Sequence, residues 1–186
     1  MGDRLLREVL WRAADARGTE RLRLFDVDVG FCAVSTWVGD FDGEIAVARF
    51  RVDLDARFGT TALEATWNER SLRLTRDPSG EWRGPRGGHP ELAGLVDVDV
   101  QWTPFTNTLP IRRLALSPGR SQDIEVVYVQ AGSLEVGRRR QRYTRLDRER
   151  WRFESLEDPF RADILVDEEG LVVEYPGIAT RLAARG

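Results

Sequence analysis

Residues Leu95–Leu114, LVDVDVQWTPFTNTLPIRRL, contain both kinds of backbone from which this chain is built. The first half alternates, with Val96, Val98, Val100 and Trp102 on one parity and Asp97, Asp99 and Gln101 on the other, the period of a β-strand. Thr103-Pro104 breaks that period, because proline cannot donate to a ladder and a threonine before it is suited to cap a helix. From Phe105 to Leu116 there is no alternation, which makes this stretch the best helix candidate, one or two turns long. It carries the pair Arg112-Arg113. Two acids on one strand face and two arginines a short connection later form a polar arrangement that either satisfies itself or faces a ligand.

On both sides of this stretch the hydrophobic period is two almost everywhere. Ile45–Asp55 is the clearest case, with Ala46, Ala48, Phe50, Val52 and Leu54 opposite Arg49, Arg51, Asp53 and Asp55. Glu8–Ala13, Glu20–Val29, Cys32–Val38, Thr60–Asn68, Ser71–Arg76 and Glu81–Arg83 read as further strands. In the second of these the apolar parity shifts between Leu24 and Phe25, which predicts a bulge. Beyond the helix candidate, Asp123–Gln130, Leu134–Leu146, Trp151–Ser155, Phe160–Val166, Leu171–Tyr175 and a short segment ending at Leu182 continue the pattern. Turn residues punctuate it at Ala16-Arg17-Gly18, Gly39–Gly43, Asp77–Gly80, Ser117-Pro118-Gly119 and Pro176-Gly177. The expected fold is all-β: a single strongly curved antiparallel sheet, mostly a meander, in a closed or nearly closed barrel. About a dozen strands and one short helix near residues 104–116 are expected. A two-sheet sandwich is the alternative. One domain over residues 1–186 is expected, with Gly84–Pro90 as an internal loop rather than a linker.

Composition narrows the chemistry. All 28 basic residues are Arg, and the net charge of −3 gives no bulk attraction to nucleic acid or to an anionic membrane. Cys32 is the only cysteine and His89 the only histidine, which argues against a disulfide, a Cys/His metal site and a catalytic triad. No apolar run reaches the roughly 18 residues of a spanning helix, and the charged start MGDRLLREVLW has no signal-peptide core. A cytoplasmic protein without cofactor or metal is the expectation. Arg138–Arg152 places eight arginines near Tyr143 and Trp151, a pattern seen on single-strand nucleic-acid surfaces. Asp147 and Glu149 interrupt it, so a charged, solvated strand edge is the preferred reading and nucleic acid is not expected as a partner.

Asp97 and Asp99 stand roughly 6–7 Å apart along a strand, within the range of a glycosidase carboxylate pair, but they point in parallel. No third group splits their acidities, and Asp26 and Asp28 repeat the pattern. The arginines suit either a structural pairing with these acids or a forked clamp on an anionic or hydroxylated ligand. GPRGGHP, residues 84–90, lacks the lysine and following helix of a phosphate loop.

The stretch VDVDV followed by Thr103-Pro104, Asn107 and Leu109-Pro110-Ile111-Arg112-Arg113-Leu114 resembles a family of bacterial glycolipid-binding proteins. QRYTRL (Gln141–Leu146), FRADILVDEEGLVVEYPG (Phe160–Gly177) and VLWR (Val9–Arg12) fit as well, so the resemblance spans nearly the whole chain. It implies a barrel-like antiparallel sheet similar to lipoprotein and lipid carriers, a non-catalytic role, and a glycolipid or other acyl-chain ligand. An apolar pocket would hold the chain. A polar mouth of Asp97, Asp99, Asn107, Arg112 and Arg113, with Trp102 and Tyr143 as aromatic neighbours, would meet the head group. Two other roles remain open: an enzyme of small sugars or lipids using Asp97 and Asp99, and a protein-interaction scaffold using the basic edge at Arg138–Arg140.

Overall fold

A computed structural model describes residues 2–186. The first half of the chain forms β1 (Arg4–Ala13), β2 (Gly18–Val27), β3 (Gly30–Phe41), β4 (Glu44–Leu54), β5 (Thr60–Trp67), β6 (Arg70–Arg76), β7 (Trp82–Gly84) and β8 (Gly87–Gly88). Then come β9 (Asp97–Val100), a 3-10 turn at Phe105–Asn107 and the helix α1 (Thr108–Leu114). The chain ends with β10 (Ser121–Val129), β11 (Val136–Arg145), β12 (Arg150–Ser155), β13 (Arg161–Val166), β14 (Val172–Tyr175) and β15 (Ala179–Arg185).

All fifteen strands belong to one sheet, ordered β8-β7-β6-β5-β4-β3-β2-β1-β15-β14-β13-β12-β11-β10-β9. Two meanders therefore meet at the antiparallel β1–β15 pair, which puts the two ends of the chain at the middle of the sheet. Every pairing is antiparallel except β9 with β10. The all-β class and the single short helix agree with the expectation, and the strand count exceeds the dozen expected. The ladder stops at β8 on one side and β9 on the other, so the closed barrel is not formed by strand pairing. Three hydrogen bonds of 3.0 Å tie the connection between β8 and β9 back to the first meander: Thr60 N to Val96 O, Gly94 N to Gly80 O, and Trp82 Nε1 to Leu95 O.

Hydrophobic alternation accounts for the strands. On β4 every second residue from Ala46 to Leu54 is buried, while Arg49 and Arg51 are exposed. A single core collects side chains from every strand but the two-glycine β8, and from α1. Trp11, Trp67, Trp82, Phe105 and Tyr143 are among its largest members, and burial of such a side chain contributes about 1.5–3 kcal/mol. The bulge expected in β2 lies instead in its partner, between Leu5 and Arg7 of β1, across from Leu24 and Phe25. β2 keeps an unbroken register with β3. Gly18 and Gly39, read as turn residues, are directly paired strand residues of β2 and β3. Gly84–Pro90 is not purely a loop, since it contains the two-residue β8.

The helix is short for identifiable reasons. Thr103 Oγ1, one residue ahead of the capping Pro104, accepts from Phe105 N at 3.0 Å and turns the chain out of the strand. Pro110 is tolerated because it lies in the first turn of α1, where backbone N–H groups have no intrahelical acceptor. At Ala115 the backbone turns left-handed, φ +46°, and the helix ends.

Candidate functional site

The site is built around β9. With β10 on one side and the Phe105–Leu114 segment folded over it, both faces of β9 are covered: Asp97, Val98 and Val100 are buried and Asp99 is half-buried. Buried carboxylates need partners, and each acid finds a different one. Arg113, near the end of α1, donates from Nε to Asp97 Oδ1 at 3.0 Å and from its terminal nitrogen to Oδ2, a forked pair. Burial pushes the Asp97 carboxyl above its ordinary range, Arg113 pulls it back, and Asp97 in turn raises the guanidinium. The fork and the charges hold this as an ion pair.

Asp99 does not meet Arg112. Its Oδ2 accepts from Gln141 Nε2 of β11 at 2.6 Å and its Oδ1 from Thr106 Oγ1 at 3.3 Å. Burial raises its pKa, and the Gln141 and Thr106 hydrogen bonds lower it. Two strand residues beyond Gln141, Tyr143 donates its hydroxyl to Asn107 Oδ1 at 2.8 Å, and Asn107 Nδ2 donates to Pro104 O at 3.3 Å. Burial first, then Asp99, drives the Tyr143 phenol well above its ordinary range, so it acts as a neutral donor. Thr106, Asp99, Gln141, Asn107 and Tyr143 thus form one polar cluster joining β9, β11 and the capping turn.

A cleft of about 320 Å³ opens beside this cluster. Asp99, Asn107, Gln141 and the arginines Arg139 and Arg140 line its polar side. Phe153, Phe160, Tyr175 and Ile178 line the apolar side. Phe160 and Ile178 are large apolar residues left exposed, at 39% and 37%. Tyr128, also on the wall, has its phenol pushed up to about 12, chiefly by burial.

The seven residues expected to form one mouth separate into three neighbourhoods. Asp99 and Asn107 line the cleft just described, with Tyr143 behind them. Arg112 and Arg113 border a different recess of about 530 Å³, with Arg57, Arg76 and Asp55. There Arg112 lies 4.0 Å from the Phe58 ring and donates to Glu169 O at 3.1 Å. Trp102 borders a third pocket, of about 260 Å³. Asp97, held by Arg113, borders none of these three recesses. A further depression, about 750 Å³ over β1–β5, contains none of the seven. Along Arg138–Arg152, six arginines (138, 139, 142, 148, 150 and 152) each have a carboxylate oxygen within 4.0 Å. Among the described residues no group of three or more His, Cys, Asp or Glu could hold a metal ion, and no helix is long and apolar enough to cross a membrane.

A family model described as "Putative glycolipid-binding" matches residues 8–181. The chain belongs to this family. Within it, the signature read from Asp97 to Leu114 is the β9 strand, its capping turn and α1. A crystal structure of a DUF1089 family protein from Pseudomonas aeruginosa has 34% sequence identity to the chain. The match covers 88% of this chain and 92% of that one, with a TM-score of 0.76. No curated protein matches the chain.

Sequence reading overlooked Gln141 as the partner of Asp99, and it overlooked Glu20. Glu20 is 2% exposed; its Oε1 accepts from Ser35 Oγ at 2.5 Å and Thr103 Oγ1 at 2.7 Å. A signal was present for Glu20, which shares its parity with Leu22 and Leu24. Gln141 shares its parity with Tyr143, but it lies 42 residues from Asp99, and nothing local pairs the two.

Proposed function

We propose that the protein binds a glycolipid non-catalytically, in the cleft beside Asp99. The observation that carries this reading is the division of that cleft. One wall offers carboxylate, amide and guanidinium groups, and the other ends in the exposed Phe160 and Ile178. Hydroxyl groups of a sugar donate and accept, which matches Asp99, Gln141, Asn107 and Arg139 on the polar wall. An acyl chain gains by covering the exposed apolar rim. The family description points to the same ligand class.

The chain works as one domain in this reading, its sheet curved enough for the β8 and β9 edges to approach without pairing. Fifteen strands laid flat would extend roughly 65 Å at about 4.8 Å per interstrand step. The connection from Gly88 to Asp97 can reach only about 30 Å. Because the core is filled by the protein's own side chains, the acyl chain lies along the rim and not within the sheet. Asp97 and Arg113 belong to the scaffold that holds the cleft, because the fork satisfies both.

Binding is preferred to catalysis because Asp97 and Asp99 turn to different partners and only Asp99 borders the cleft. Native mass spectrometry of the purified protein checks the reading. A lipid adduct that carries a sugar, and that weakens when Phe160 and Ile178 are both changed to Ser, is the expected result. Failure to take up any glycolipid from mixed micelles would remove the proposal.

A further inference from the structure

The pocket of about 260 Å³ at the other side of the Gln101–Pro104 turn has a different character. Trp11, Trp37, Phe41 and Trp102 form its aromatic walls. Asp15 from the β1–β2 turn, Glu20 from β2, and Asp40 and Asp42 from the end of β3 and its turn bring carboxylates, and no arginine lines it. Two of the lining residues each have a buried polar atom with no hydrogen-bond partner among the described residues, Glu20 Oε2 and Trp102 Nε1. The first belongs to a side chain whose other oxygen already has both its donors, Ser35 and Thr103. An unpaired buried carboxylate oxygen and an unpaired buried indole N–H each cost free energy unless a ligand completes them.

We propose that this pocket binds a protonated primary amine carrying an oxygen acceptor close by, as in an amino alcohol. The ammonium N–H groups donate to Glu20 Oε2, the aromatic faces attract the positive charge, and Trp102 Nε1 donates to the oxygen. A volume below the roughly 300–1,000 Å³ of drug-sized sites fits one small head and not a whole lipid. Neutral sugars complete the hydrogen bonds but leave the four carboxylates without a counter-charge, and quaternary ammonium groups have no N–H for Glu20. Burial raises the Glu20 pKa to about 7, so the carboxylate form that binds an ammonium prevails only above that pH. The other charged groups that line the pocket are Asp15, Asp40 and Asp42. This site is argued independently of the glycolipid reading, although Gln101 and Ile178 border both recesses.

The test is titration of the full chain with ethanolamine, choline and glucose, followed by tryptophan fluorescence, with circular dichroism to verify folding. Ethanolamine should bind at pH 8, and choline and glucose more weakly. Its affinity should fall on lowering the pH to 5.5. Glu20→Gln should lose tenfold or more, about the weight of one hydrogen bond to a charged group. Trp102→Phe should lose several-fold. If Glu20→Gln does not fold, the pH dependence of the unaltered protein decides alone. Sedimentation with phosphatidylethanolamine vesicles, and not with phosphatidylcholine, would assign the amine to a lipid head; ethanolamine binding without sedimentation would assign it to a free amine. Glucose binding as tightly as ethanolamine, ethanolamine binding unchanged at pH 5.5 or in Glu20→Gln, or no response to ethanolamine at all would overturn the proposal.

Discussion

Glu20 shows how one residue couples burial to pH. Its carboxyl is raised to about 7 by burial, against the opposing hydrogen bonds from Ser35 and Thr103. In the unfolded chain the same group ionises near 4.5. Between about 4.5 and 7 the folded state therefore holds a proton that the unfolded state has released, so stability falls as pH rises through that window and levels off above it. Glu20→Gln keeps the acceptor for Ser35 and Thr103 and cannot ionise. It should flatten the profile and stabilise the protein at pH 8, by up to about 3 kcal/mol, with little change at pH 4.5. Denaturant melts at the two pH values check this, and an equal effect at both would show that Glu20 is not held protonated. The inward parity of Glu20 was readable beside Leu22 and Leu24, as was a pairing between the β9 acids and the α1 arginines. Which acid takes which partner was not, because Asp99 is satisfied by a glutamine on a strand that only the sheet topology brings near.

At the scale of elements, period-two alternation identified nearly every strand of four or more residues, and the Thr-Pro cap located the helix. The misreadings came where glycine serves packing instead of turning. A Cβ on Gly18 would lie 2.4 Å from the Trp37 ring, and one on Gly39 2.3 Å from the Arg17 carbonyl oxygen. Gly18 leaves room for the Trp37 ring, which also stacks on Trp67 of β5 at a centroid distance of 5.8 Å, and Gly39 lets β3 approach the Arg17 backbone. Gly18→Ala should therefore displace Trp37 and cost about 1–3 kcal/mol, the usual penalty of overpacking. A reduced near-ultraviolet circular dichroism signal with the far-ultraviolet spectrum kept is the expected observation. Unchanged stability and near-ultraviolet signal would mean that Trp37 does not lie against Gly18. β9 was legible as a strand, whereas its burial on both faces was not, because the covering element comes from the same signature segment and is invisible to a one-strand pattern.

For the whole molecule, the fold class and the meander were legible, and the seam between β1 and β15 was not. Nothing in the composition of β1 or β15 marks them as partners, and the pairing arises because two meanders leave those strands with free edges. That topology brings β9, β11 and the β12–β15 region to one side, where Asp99, Gln141, Phe160 and Ile178 share a cleft. The position of a bound glycolipid is thus the most direct measure of the account. A glycolipid with a photoreactive diazirine on its acyl chain, cross-linked to the protein and mapped by peptide mass spectrometry, should label peptides containing Phe153–Phe160 and Tyr175–Ile178. Labelling concentrated on the outer depression over β1–β5, or none above that of a lipid-free control, would contradict it.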